Sequence, residues 1–167
     1  RPSVAMTRLG GSEEAKTCIA GLRDDLNDVG PDKKPVVSHS VRATLIHIPV
    51  KENMGTPTPL YYRACKQQID DGRGGKRSCA KKTELTDRGD FVCAENHVST
   101  SAEPRFTLPV RIQDGTGELF ARAFNDQAKV ILGIDDAQLY ALGPEEMAME
   151  QQRVVDEAMF KTYIFKL

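Results

Sequence analysis

Cys65, Cys79, Cys93 and His97 carry soft donor atoms, thiolate sulfur and imidazole nitrogen, and all fall between residues 61 and 100. Zn²⁺ takes such a set in tetrahedral array, and four protein ligands leave no open position for a catalytic water, so the ion would be structural. Cys93-Ala94-Glu95-Asn96-His97 places two donors on one knuckle, whereas gaps of 13 residues lie on either side of Cys79. Without close CxxC pairs the spacing also admits other readings. These are a set of reduced buried thiols, a His97 that only hydrogen-bonds a loop, or His47 as the fourth ligand. Cys18 stands at helical spacing with Ile19 and Leu22 and reads as a small core residue.

A second chemistry sits in Glu118–Phe124. Alternation along a strand puts Leu119, Ala121 and Ala123 on one face and Phe120, Arg122 and Phe124 on the other. Two rings with a guanidinium between them are what a single strand of nucleic acid requires, since every base has a π-face and every nucleotide a phosphate. Stacking is worth about 1–3 kcal/mol per base whatever the sequence. Alternation equally admits the reverse, with the phenylalanines in the core and the alanines under a helix.

The charge distribution bears on this. Net charge is only -1. Yet Arg63, Lys66, Arg73, Lys76, Arg77, Lys81, Lys82 and Arg88 crowd the cysteine-bearing stretch, while residues 135–157 are acidic apart from Arg153. Such a dipolar chain can hold a polyanion on one segment; two solvated faces are the plainer alternative. No GxSxG, HExxH, P-loop or GxGxxG pattern argues for an enzyme. The paired acids Asp135-Asp136 and Glu145-Glu146 stand at helix starts, where carboxylates favour the helix dipole.

With 167 residues, 40% hydrophobic and 28% charged, the chain suits one globular domain. No apolar run approaches the roughly 20 residues that span a bilayer. No secretory leader is evident, so a reducing intracellular compartment is expected, where cysteines serve as ligands or core residues rather than disulfides.

The elements that would position these residues follow from pattern. Residues 1–15 read as a linker or flexible terminus, and Glu13–Leu26 holds a short helix. Pro31–Pro35 is a loop and Val36–Val50 a long first strand with Val41, Ala43 and Leu45 on one face. No periodicity orders residues 61–100, so something other than a core must. Thr107–Gln113 alternates as a strand; Asp114-Gly115-Thr116-Gly117 is a hairpin turn whose glycines supply positive φ. Asn125 caps a helix, Asp126–Leu132, that Gly133 ends. A short helix follows Asp135, and Pro144 opens another, Glu145–Met159, in which Met147, Met149 and Met159 serve as core fillers. Lys161–Leu167 closes as a strand.

Tyr62-Arg63-Ala64-Cys65, Cys79-Ala80-Lys81-Lys82 and Phe91-Val92-Cys93 resemble the zinc-ribbon insertion of the carboxy-terminal DNA-binding domain of the replication protein A large subunit. Arg105–Gly117 resembles that family's central hairpin, and Phe120–Gly133 its next strand and helix. Lys16–Leu22 and Met159–Phe165 resemble the segments at either end, so the match is collinear from about Lys16 onward. The resemblance implies a mainly β fold with some α: an OB-fold, a five-stranded Greek-key barrel, over residues 16–167. A zinc ribbon is inserted at about 61–100, and helices flank the barrel.

It also implies single-stranded-DNA binding in replication, repair and recombination, without catalysis, in the nucleus. Bases would stack on Phe120 and Phe124, which settles the facing of that strand. Lys81, Lys82, Arg122, Arg63 and Arg111 would contact the DNA. Structural Zn²⁺ would be held by Cys65, Cys79 and Cys93, with His97 standing where the family usually has a second close cysteine. The partners implied are the middle and small subunits of replication protein A. A paralogue serving telomeres or meiotic recombination, or a protein-assembly scaffold, would share these features. In the family a further hairpin and a subunit-bundling helix follow, so part of the barrel closure and of the DNA face is expected beyond Leu167.

Overall fold

The computed structural model describes residues 4–5, 8–9, 17–27, 39–53 and 55–167. The amino-terminal elements are β1 (Val4–Ala5), β2 (Arg8–Leu9), α1 (Ile19–Asn27), β3 (Ser40–His47), β4 (Glu52–Asn53) and β5 (Thr56–Pro57). A run of short strands follows: β6 (Tyr61–Ala64), β7 (Gln68–Asp70), β8 (Lys76–Ser78), β9 (Thr83–Leu85), β10 (Phe91–Cys93) and β11 (Val98–Ser99). The long hairpin β12 (Glu103–Asp114) and β13 (Gly117–Phe124) precedes α2 (Asn125–Leu132), α3 (Asp136–Tyr140), α4 (Pro144–Ala158) and β14 (Thr162–Lys166).

The main sheet runs β1-β13-β12-β3-β14-β2, with β6 added to β12. Its two ends, β1 and β2, are neighbours in the chain. Val4–Ala5 runs parallel to Ala121–Arg122, and Arg8–Leu9 antiparallel to Phe165–Lys166. The ring of strands therefore closes through β1 and β2. Inside it Val41, Leu45, Phe106, Leu108, Val110, Ile112, Ala123 and Phe165 are fully buried, with Ile131, Leu139 and Val154 supplied by the helices. The alternation that marks β3 and β12 is thus the alternation of core and surface.

β12 serves two regions at once. Its first residues, Glu103–Phe106, pair with β6 of the inserted stretch, and Arg111–Gln113 pair with β3 of the barrel. The insertion itself is a β9-β10-β11 sheet and a β7-β8 hairpin. At the junction Gln151, fully buried on α4, accepts from the Leu60 N–H at 2.9 Å and donates to the Thr58 carbonyl at 3.1 Å, so backbone polar groups that enter the core are paired.

Several elements differ from the sequence reading. The first strand is Ser40–His47, shorter than Val36–Val50; residues 36–38 lie outside the described residues, as does the Pro31–Pro35 loop. The first helix is described from Ile19. The Asp114–Gly117 turn does not use glycine: neither Gly115 nor Gly117 has positive φ. Instead the Asp114 carboxylate accepts from the Thr116 and Gly117 N–H groups and the Thr116 hydroxyl, which closes the turn from the side chain. Its other oxygen accepts from Ile19 N–H at 2.8 Å and so caps α1.

Asn125 is the first residue of α2 rather than its cap, because its side-chain oxygen is engaged by the Phe106 N–H at 3.3 Å. Gly133 does end that helix, at φ 68°. Met147 is buried, but Met149 is 76% exposed, on the solvent side of α4. Cys18 is only half-buried, just before α1 begins. No helix among the described residues is long and apolar enough to cross a membrane.

Candidate nucleic-acid interface and metal centre

The four soft donors converge. Cys65 follows β6, Cys79 follows β8, Cys93 ends β10 and His97 stands in the turn before β11. Their ligand atoms all lie within 4.8 Å of one another, and the three cysteines are buried. His97 Nδ1 is 3.7 Å from Cys65 Sγ and 3.5 Å from Cys93 Sγ. His47 is exposed on β3 and lies outside this group. The cluster can hold a metal ion, and the partly buried Ile69 packs against it.

Backbone bonds set the donors in place. Cys65 N–H donates to the Lys81 carbonyl and Ala80 N–H returns to the Cys65 carbonyl, while Cys79 N–H donates to Gln67. Cys93 N–H reaches the His97 carbonyl, and Asn96 N–H closes onto the Cys93 carbonyl. Ala80 and Asn96, each adjacent to a donor, adopt left-handed φ of 54° and 59°. Non-glycine residues hold that conformation only where the surroundings over-determine it. Burial pushes the Cys65 thiol up; at Cys93 the N–H donors of Glu95 and His97 outweigh burial and hold the thiol down.

On the barrel, β13 faces as the resemblance implies. Leu119, Ala121 and Ala123 are buried, whereas Phe120 and Phe124 are 36% and 45% exposed. Small residues are needed inward because β13 lies across a tight ring, and that leaves the rings outward. Arg111, paired with Phe120 across the strands, sets its guanidinium 5.5 Å from the Phe120 ring centroid and also ion-pairs with Glu118. Arg122 lies beside Thr107, its Nη1 within 3.4 Å of the hydroxyl.

Between this strand and the insertion opens a cleft of about 780 Å³. Phe124 and Arg122 of β13 line it, together with Lys51 and with Tyr62, Arg63, Lys82 and Thr83 of the inserted stretch. The Arg63 guanidinium lies 5.6 Å from the Phe91 ring centroid. The Tyr62 hydroxyl donates to the Ala80 carbonyl at 3.1 Å, and burial raises its pKa, so the phenol stays neutral. Thr83 donates to the Arg63 carbonyl at 2.9 Å and ties β9 to β6.

Of the residues singled out from sequence, the structure brings Arg63, Lys82, Arg122 and Phe124 together in the cleft, with Phe120 and Arg111 further along the hairpin strands. Lys81 does not line it; it is exposed and ion-paired with Glu95, which also raises its pKa. Lys51, Thr58 and Tyr62 also line the cleft and escape sequence reasoning. They lie in irregular loops or in a strand of four residues, where no periodicity reports which side chain faces a cavity.

A family model described as the replication factor-A C terminal domain matches residues 39–167. The chain belongs to this family. One of the replication protein A 70 kDa DNA-binding subunits of Arabidopsis thaliana is 30% identical over 138 residues, 81% of this chain and 20% of that protein. The probable replication factor A 73 kDa subunit of Caenorhabditis elegans is 26% identical over 159 residues, 95% of this chain and 21% of that protein. The chain spans about a fifth of the length of these curated relatives.

Among solved structures, a replication protein A heterotrimer bound to ssDNA superposes with TM-score 0.65 at 27% identity, covering 90% of this chain and 30% of that one. Yeast RPA bound to ssDNA gives 0.60 at 22%, covering 90% and 74%, a likeness of fold. The ring of strands is the OB-fold expected of this family, with the ribbon inserted between β3 and β12.

Proposed function

We propose that this chain binds single-stranded DNA without strong sequence preference, as the carboxy-terminal domain of a replication protein A large subunit working with middle and small subunits in the nucleus. The observation that carries this reading is the cleft. An exposed ring and a guanidinium on β13 line it, together with two cations of the ribbon, Arg63 and Lys82. A duplex has its bases hidden in the stack, so such rings can engage only an unpaired strand; the cations meet its phosphates.

The metal in this reading is Zn²⁺, held by Cys65, Cys79, Cys93 and His97. Zn–S near 2.3 Å and Zn–N near 2.05 Å about a tetrahedral centre require S···N edges of about 3.6 Å. Two of the three edges at His97, those to Cys65 and Cys93, are 3.7 and 3.5 Å, and the Cys79 sulfur lies within 4.8 Å. An ion there supplies the folding energy that the ribbon lacks in apolar core. The chain's own residues do the binding: Phe120 and Phe124 offer faces to bases, Arg122, Lys82 and Arg63 balance phosphates, and Arg111 backs the Phe120 ring.

Fluorescence anisotropy of labelled oligo(dT), titrated at several salt concentrations against duplex competitor, tests this. Binding should favour single strands and weaken as salt rises. Phe120→Ala with Phe124→Ala should remove about 1–3 kcal/mol per ring. Affinity indifferent to both salt and rings would sink the reading and favour a protein-assembly role.

A further inference from the structure

Six phenylalanines occur in the chain, and three are exposed: Phe120, Phe124 and Phe160. Phe160 is the most exposed of them, at 75%, and it lies on neither β13 nor the cleft wall. It stands between α4 and β14 in the left-handed region, φ 60°, a conformation that costs a residue bearing a side chain. The backbone there is fixed on both sides. Phe160 N–H donates to the Leu45 carbonyl at 2.8 Å, and Leu45 N–H donates to the Lys161 carbonyl at 2.9 Å. Nothing about packing demands a large ring at such a position, since glycine would hold the turn without strain.

Register shows where the ring is presented. Thr162 pairs with Thr44, Thr44 with Gln113, and Gln113 with Glu118, across four strands from β14 to β13. The Thr44 and Thr162 hydroxyls meet at 2.9 Å on the outside of the barrel, so this row faces outward. Two residues along each strand gives the next outward row. On β13 it contains Phe120 and on β12 Arg111; on β3 it contains His47, displaced by the bulge at Arg111/Ile112. From Thr162, the first residue of β14, the same step leads out of the strand to Phe160, whose exposure rather than strand alternation shows that its ring faces solvent. Phe120 therefore stands in this row on β13 and Phe160 just beyond its β14 end, a path of three strand spacings, roughly 14 Å along the curved outer surface of the barrel. Arg111, exposed His47 and exposed Lys161 lie in or beside the row.

We propose that Phe160 is a further base-stacking site, and that a bound single strand leaves the β13 platform and crosses the barrel along this row to reach it. The inference rests on the single-stranded-DNA reading above and extends the site beyond the cleft. A ring held outward on a fixed backbone, with Lys161 beside it, repeats the aromatic-and-cation chemistry of β13. Continuity of the row with that platform selects the next part of the same strand as its occupant.

The test uses the full 167-residue chain and oligo(dT) of graded length. Phe160→Gly, Phe160→Tyr and Phe120→Ala are compared by anisotropy, with thermal melting of each protein. Phe160→Gly removes the ring at a φ that glycine accepts, so its melting temperature should not fall. Long oligonucleotides should bind roughly 5- to 150-fold more weakly to it, short ones equally well, and Phe160→Tyr should bind both as the parent does. If Phe160→Gly binds all lengths as the parent does while Phe120→Ala does not, the extension is wrong and the β13 platform stands. Equal loss at every length, or loss that follows a lowered melting temperature, assigns Phe160 a structural role and overturns the proposal. If Phe120→Ala is also without effect, the reading beneath it fails.

Discussion

The barrel and the ribbon are of comparable strand count but draw their order from different sources. Barrel strands bury an apolar set in which Phe106, Leu108, Val110 and Ile112 on β12 alone are fully enclosed. In the ribbon the buried cluster is Cys65, Cys79 and Cys93, with Ile69 partly packed against it. Its strands are two to four residues long, and its exposed Leu85 and Val98 show how little apolar surface it encloses. One region is held by area removed from water; the other brings together four donor atoms that could hold a metal ion. The contrast teaches that a region without a core can still be specified, provided that its polar atoms converge.

Removing the metal should separate the two regions most sharply. A strong chelator, or Cys79→Ala, should abolish hydrogen-exchange protection between residues 61 and 100 and leave β12 and β13 protected from about residue 107 onward. Structural zinc sites in small domains contribute on the order of 10 kcal/mol. If protection in the ribbon is unchanged by metal, the donor assignment is wrong. Phe106→Ala should do the converse at a smaller scale. Truncating a fully buried phenylalanine costs about 3–5 kcal/mol, visible as a lower denaturant midpoint for the barrel. Because Phe106 lies on the strand shared with β6, metal-site spectra with cobalt in place of zinc would report whether the ribbon outlasts its support.

The smallest effect concerns Asp114. Burial opposes its charge, but hydrogen bonds from the Thr116 hydroxyl and from the Ile19, Thr116 and Gly117 N–H groups outweigh it and hold the carboxyl below its ordinary range. A depressed folded pKa means stability that is fully present above the unfolded value, about 3.9, and is lost as pH falls through the folded one. Acid should therefore loosen α1 before the rest of the barrel, and Asp114→Asn should remove that step from the pH profile. An unaltered profile would show that α1 docks without the carboxylate.

What can be read from sequence follows the same division. Strands β12, β13 and β3 are legible because alternation over seven or eight residues marks two faces. Alternation alone leaves the facing of β13 open, and there only the family resemblance points its rings outward, as the burial then shows. The metal donors are legible by residue type, and convergence in space favours His97 over His47. The ribbon strands are not legible, since three residues carry no period. The Asp114 turn misleads because its glycines are conspicuous, whereas the side chain that closes it looks like any turn aspartate. Phe160 is invisible in the sequence: a left-handed phenylalanine leaves no pattern in its neighbours.

The pairing of β1 with β13 and of β2 with β14 has a further consequence, in time rather than space. The partners of β1 and β2 are Ala121, Arg122, Phe165 and Lys166, far along the chain. During synthesis β1 and β2 emerge well before those partners, so the ring cannot close as the chain is made. Of the strand pairings among the described residues, that of β2 with β14 spans the greatest chain separation, and pairing across such separations carries a large loop entropy and is expected to come late. Until it does, β13 and β14 each present a bare edge to whatever strand is nearby, which is when a nascent barrel is most exposed to joining the wrong neighbour.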